Sequence, residues 1–169
     1  MDCIIREMQK DEYYLLSDFL YEAIYIPAGT AAPPKSVITC PELRVYIAGF
    51  GNSKHDKALI AEVDGNIVGA IWARIMNDYG HIDENTPSLA MSVLKAYRGM
   101  GIGTSLLTHM LSTEKTAGYA KLSLSVQKDN YAVKLYQKVG FTIVSETDEE
   151  YIMVVNLNSI YKTEEEDGF

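Results

Sequence analysis

Apolar and polar residues along this chain alternate or recur in blocks that predict an α/β order. Ile4 to Met8 alternates like a short first strand, and from Asp11 onward Tyr14, Leu15, Asp18, Phe19 and Glu22 divide two faces at helical spacing. The stretch Ile26 to Pro34 is expected to be a loop, because its prolines fix φ and lack N–H donors. Pro41 stands at a first helical position and predicts a second helix to about Phe50, closed by Gly51-Asn52-Ser53. Ala58–Val63 and Ile67–Arg74 flank Asp64-Gly65-Asn66, two strands around a hairpin-type turn. After a loop over 77–87, Leu89 to Leu94 is strand-like, and Thr104 to Glu114 is helical with Gly118 as its stop. Lys121 to Val126 alternates through Leu122, Leu124 and Val126, and Asn130 to Val139 predicts a helix closed by Gly140. Phe141–Glu146 and Tyr151–Leu157 complete the order as an antiparallel pair. Neither a repeat nor a linker interrupts the series, so a single α/β domain with a mixed sheet is expected over residues 1–157. Residues 158–169, with Glu164-Glu165-Glu166-Asp167, are expected to form an acidic, flexible tail.

Composition narrows the class. The 169 residues are 47% apolar and 22% charged, an ordinary soluble balance with enough length for a substantial core. No apolar run approaches the ~20 residues that span a bilayer, so no membrane association is expected. Met1 to Glu7 lacks the basic start and long apolar stretch of a signal peptide. Cys3 and Cys40 form no C-x-x-C pair and suit a reducing compartment, so a cytoplasmic location is expected. The net charge of −8 argues against nucleic acid as a partner, since phosphate binding needs a basic face. It favours a cationic substrate such as an amine.

The run Arg98-Gly99-Met100-Gly101-Ile102-Gly103-Thr104 carries the clearest chemistry. It joins a strand to a helix, and alternate glycines let the backbone approach an anion in front of unpaired helix N–H groups. Taken alone, it fits an anion cradle or a tight turn equally well. Asn130 fits an N-cap, and Tyr136, with Val133 between them, shares much of one helical face. His81-x-Asp83-Glu84 has ligand residue types without metal-site spacing, so no metal is expected. His55 and His109 carry no pattern, and Ser36 and Ser92 have no triad partners.

Together, Arg98-x-x-Gly101-x-Gly103 and the stretch Asn130, Ala132, Leu135-Tyr136, Gly140-Phe141 resemble the two signature motifs of the GNAT superfamily of acyl-CoA-dependent N-acetyltransferases. The resemblance covers roughly residues 4–157. It implies a mixed, mostly antiparallel sheet of about six to seven strands flanked by about four helices. It also implies acetyl-CoA as co-substrate, held by Met91, Ser92 and Val93 of the strand, by Arg98 through Thr104, and by Asn130, Val133 and Tyr136. On this reading a neutral amine attacks the thioester directly, the Met91 N–H stabilises the developing oxyanion, and Tyr136 is the general acid for the leaving thiolate. Glu84, or Asp83 beside it, is the candidate base, because Pro87-Ser88 stand where related sequences often carry a carboxylate. Lys95 replaces a common proline, which alters loop stiffness more than chemistry. Tyr21, Tyr25 and Ile26 of the Pro-rich loop, with Trp72 and Arg74 of the sheet, are the candidates for the acceptor pocket. The expected activity is acetyl transfer to the primary amine of a small molecule. A protein or peptide N-acetyltransferase, a non-catalytic acyl-CoA sensor, and a homodimer formed through an apolar edge also fit the sequence.

Overall fold

The structure is a computed structural model that describes residues 2–159. Seven strands, β1 Cys3–Glu7, β2 Lys57–Val63, β3 Asn66–Arg74, β4 Ser88–Val93, β5 Lys121–Gln127, β6 Thr142–Glu146 and β7 Glu150–Asn156, form one sheet in the order β1-β2-β3-β4-β5-β7-β6. Four helices accompany it: α1 Leu16–Ala23, α2 Pro41–Arg44, α3 Ile102–Thr116 and α4 Ala132–Lys138. This is the expected single α/β domain with a mostly antiparallel sheet. The expected tail lies, from residue 160 on, outside the described residues. No helix among the described residues is long and apolar enough to cross a membrane.

Strand alternation divides the core in two. One face of the sheet, with Ile71, Leu89, Leu122, Leu124 and Met153, packs on Leu106, Leu107 and Met110 of α3. The other, with Ala58, Ile60, Ala70 and Trp72, packs on Leu16, Phe19 and Leu20 of α1. The β2–β3 turn places Asp64 and Gly65 at φ 51° and 80°, the two positive angles that suit the right-handed twist of a two-residue hairpin.

Two helical expectations were too long. Lys10–Leu15 is a 3-10 turn leading into α1, and α2 stops at Arg44 instead of reaching Phe50. The carbonyls beyond Arg44 are captured from the sheet: Tyr46 O accepts from Trp72 Nε1 at 3.0 Å, and Val45 O and Ala48 O accept from Arg74 Nη1 at 3.2 and 2.8 Å.

The feature that positions the site is the β4–β5 junction. Every other strand pair is antiparallel and shares several register positions, whereas β4 and β5 run parallel and pair only at Ser88 and Ser123. Ser123 N–H donates to Pro87 O at 3.0 Å, and beyond that point the strands diverge. Leu94 N–H donates to Val68 O on the β3 side. By alternation, Leu89, Met91 and Val93 therefore turn their backbone groups toward the gap.

Candidate functional site

The gap opens toward the glycine-rich loop. Gly99 and Gly101 adopt φ 76° and 83°, and a Cβ on either would meet nothing within 4 Å. Their backbone is bare, and only glycine holds those angles without strain. Behind them α3 begins at Ile102, so the N–H groups of Ile102, Gly103 and Thr104 have no carbonyl within their own helix. Gly103 lets α3 lie close to its neighbours, since a Cβ there would sit 3.6 Å from Leu135 Cδ2 and 3.7 Å from Met91 Cε. Met100 is exposed at the tip. A bare loop, free helix-terminal donors and an open strand edge fit the diphosphate and amide-containing arm of an acyl-CoA.

Several of the expected roles change at the level of the side chain. Arg98 does not lie over the loop. Its Nε donates to Val93 O at 2.9 Å and its Nη2 pairs with Glu22 at 3.5 Å, so it braces the end of β4 against α1. Ser92 is buried and donates to Phe19 O at 2.6 Å, away from the gap. Asn130 Oδ1 accepts from Ala132 N–H at 2.9 Å and starts α4 as a cap. Val133 is half-buried against the α3-side core. Tyr136 is buried, its ring edge-on to Phe141 with centroids 5.7 Å apart, and burial pushes its hydroxyl up to about 12.

The acceptor candidates separate. Tyr25 borders a cleft of about 380 Å³ with Pro27, Gln127, Lys128, Asp129, Asp148 and Glu149, and its hydroxyl reaches Asp129 O at 3.4 Å. Ile26, between them in sequence, is exposed. Tyr21 donates to Pro33 O at 2.5 Å and ties the Pro-rich loop to α1. Trp72 and Arg74 offer no pocket wall. Trp72 is fully buried, and Arg74 is enclosed with Asp56 at 3.1 Å and the carbonyls noted above, because the segment after α2 covers them. Glu84 is exposed and pairs with His81 Nε2 at 3.3 Å. The exposed Asp83 carboxylate is held below its usual range by the Asn85 backbone N–H and the Thr86 side chain.

One cluster has no counterpart among the residues expected from the sequence. Asp78 accepts from Ser88 Oγ–H at 2.9 Å and from the Tyr46 hydroxyl at 3.0 Å. Burial raises the Asp78 carboxyl above its ordinary range, while those hydrogen bonds pull it back. Burial and the adjacent Asp78 also raise the Tyr46 hydroxyl. Glu150, raised chiefly by burial and then by Glu149, accepts from Gln127 Nε2 at 3.1 Å. A signal existed in the alternation Ser123, Ser125, Gln127, a polar face on a strand with neighbours on both sides.

The sequence profile described as the Acetyltransferase (GNAT) family matches residues 21–141. An N-alpha-acetyltransferase of Sulfurisphaera tokodaii is 34% identical over 108 residues, 59% of this chain and 59% of that protein. N-alpha-acetyltransferase 50 of Danio rerio is 34% identical over 96 residues, 56% of this chain and 55% of that protein. The chain thus spans little more than half the length of the curated relatives it matches. Among solved structures, the PaiA N-acetyltransferase of Thermoplasma acidophilum, in complex with coenzyme A, superposes with a TM-score of 0.69 at 20% identity, over 92% of this chain and 99% of that one. That likeness extends the agreement to the whole seven-stranded architecture. By the family match, which runs from α1 through the glycine-rich loop to Phe141, the chain belongs to the Acetyltransferase (GNAT) family.

Proposed function

We propose that the protein transfers the acetyl group of acetyl-CoA to the primary amine of a small cationic molecule, by direct attack in a ternary complex. The observation that carries this reading is the β4–β5 gap, whose free strand edge ends at the bare glycine loop and the start of α3. Acetyl-CoA supplies an activated acyl carbon and a thiolate leaving group. The N–H groups of the loop and of Ile102 to Thr104 hold the pyrophosphate, and the Met91 backbone groups, with the Val93 N–H, pair with the amide-containing arm, Val93 O being taken by Arg98 Nε. The Met91 N–H donates to the oxygen on which negative charge develops.

On this reading Tyr136 of α4 serves the departing sulfur. With its hydroxyl at about 12 against ~8.5 for a free thiol, it keeps its proton and stabilises the sulfur by hydrogen bonding, with transfer completed only as the C–S bond breaks. The cleft beside Tyr25 admits the amine, and the carboxylates of Asp129, Asp148 and Glu149 favour a cation there. The N-alpha-acetyltransferase relatives favour a second acceptor, the α-amine of a peptide.

A panel of diamines, amino acids and short peptides, assayed by release of free CoA thiol, tests both acceptors. Turnover of small amines without peptides is the expected result. Turnover of peptides alone would move the assignment to a peptide N-acetyltransferase, and tight acetyl-CoA binding without any turnover would make the protein a sensor. Tyr136→Phe is expected to lower kcat on the order of 10²-fold while acetyl-CoA affinity holds.

A further inference from the structure

At the apex of the gap, where β4 and β5 meet, a carboxylate is held in place from three sides. Ser88, the residue that pairs with Ser123, donates its hydroxyl proton to Asp78 Oδ1, Tyr46 donates to Oδ2, and the Gly80 N–H also reaches the carboxylate. Gly80 is pressed on β5, since a Cβ there would stand 3.0 Å from both Leu124 C and Ser125 N and 3.2 Å from Asp78 Oδ2. The loop carrying Asp78 is therefore fixed against the strand on the opposite side of the gap.

The cluster occupies the sheet face opposite α3. Ser123, Ser125, Gln127 and Glu150 share that face by strand alternation and by the Gln127–Glu150 register pair. Gln127 lines the cleft at Tyr25 and holds Glu150, whose carboxylate interacts electrostatically with Asp78. Among the described residues Tyr46 and Glu150 act electrostatically on Asp78, and neither brings a positive charge; His81 of the same loop turns its Nε2 to Glu84 at 3.3 Å. Lys128, the cleft's lysine, pairs with Glu146 at 3.1 Å. Two mutually repelling carboxylates on one face suit a ligand that brings its own positive charge.

From this juxtaposition we infer that Asp78 receives the ammonium group of the acceptor and takes its proton, while Ser88 and Tyr46 position the carboxylate. The inference rests on the acetyl-transfer reading. The ammonium gives one proton to Asp78, and the nitrogen lone pair then forms the C–N bond with the acetyl carbon. The C–S bond breaks with its electron pair on sulfur. The nitrogen loses a second proton, one proton reaches the thiolate to give the thiol, and Asp78 returns its proton to water. The desolvation that raises Asp78 makes it a stronger base than an exposed carboxylate.

The test is the kcat–pH profile of the whole protein with saturating acetyl-CoA and an amine that it turns over. Asp78→Asn is expected to lower kcat at least about 10²-fold and to abolish the acidic limb, with acetyl-CoA affinity by calorimetry unchanged. Where Asp78→Asn folds poorly, Ser88→Ala and Tyr46→Phe carry the test. Each removes a hydrogen bond that favours the ionised carboxylate, so each is expected to move the acidic limb to higher pH. Asp78→Asn within about threefold of the parent kcat and an unmoved limb would overturn the role of Asp78 alone. A parent protein that turns over no amine overturns the acetyl-transfer reading and this inference with it.

Discussion

Glu114 faces the core from α3, fully buried, with neither carboxylate oxygen hydrogen-bonded, and burial pushes its carboxyl up to about 7. Below the ordinary value of 4.5 both folded and unfolded chains hold the proton, and its ionisation does not affect stability. As pH rises the unfolded chain ionises first, so stability falls until about pH 7 and then stays lower by about 3 kcal/mol. Glu114→Gln is therefore expected to be more stable than the parent at pH 8 by up to about 3 kcal/mol, with the difference closing toward pH 5. Urea unfolding at the two pH values measures this, and an equal difference at both would rule out ionisation as the cause. At this scale the sequence was legible where a motif constrained the backbone and illegible where a partner came from far away. Trp72 and Arg74, expected at the acceptor pocket, do share one face, because residues two apart on a strand point the same way. What covers that face, the segment after α2, is set by tertiary contacts that no local pattern encodes. Asp78 was passed over for the same reason, since its meaning comes from Ser88 and Tyr46, ten residues after it and thirty-two before it.

Among the elements, the loop before α3 and the loop before β4 do different work with the same residue type. Gly101 holds φ 83° in open space, so alanine there meets no neighbour but is strained by ~1–2 kcal/mol. Gly101→Ala is expected to weaken acetyl-CoA binding by about tenfold as the loop relaxes, with a small change in the melting temperature of the free protein. Gly103→Ala, which finds ordinary contact distances to Leu135 and Met91, serves as the comparison and should leave the free protein's stability nearly unchanged. Calorimetric titration reads both, and parental affinity in Gly101→Ala would remove the loop backbone from the binding surface. Element order was legible because alternation, caps and glycine stops agree along most of the chain. The errors fell at the 3-10 turn before α1 and at the truncated α2; beyond α2, side chains from β3 take carbonyls that helical periodicity alone would assign to the next turn.

For the molecule as a whole, the charge of −8 and the acidic border of the cleft act together. A cationic acceptor is drawn toward such a surface, and salt shortens the reach of that field to ~8 Å at physiological strength. Its KM is expected to rise several-fold between low salt and about 0.3 M NaCl, while a zwitterionic acceptor changes little; steady-state kinetics at fixed acetyl-CoA measures both. Equal salt dependence for the two would place the acidic groups outside the acceptor's path.

The single register pair between β4 and β5 has a consequence for how the fold and its supply of donor are tied together. A four-stranded half-sheet and a three-stranded half-sheet share one junction, and beyond it the Met91 backbone groups and the Val93 N–H are left as an unfinished ladder. A molecule that inserts there acts as a temporary strand, so its binding free energy is added to the stability of the native state. The protein is then firmest when acyl donor is plentiful, and amide hydrogens at the open edge exchange with water at a rate that reports how much donor is present.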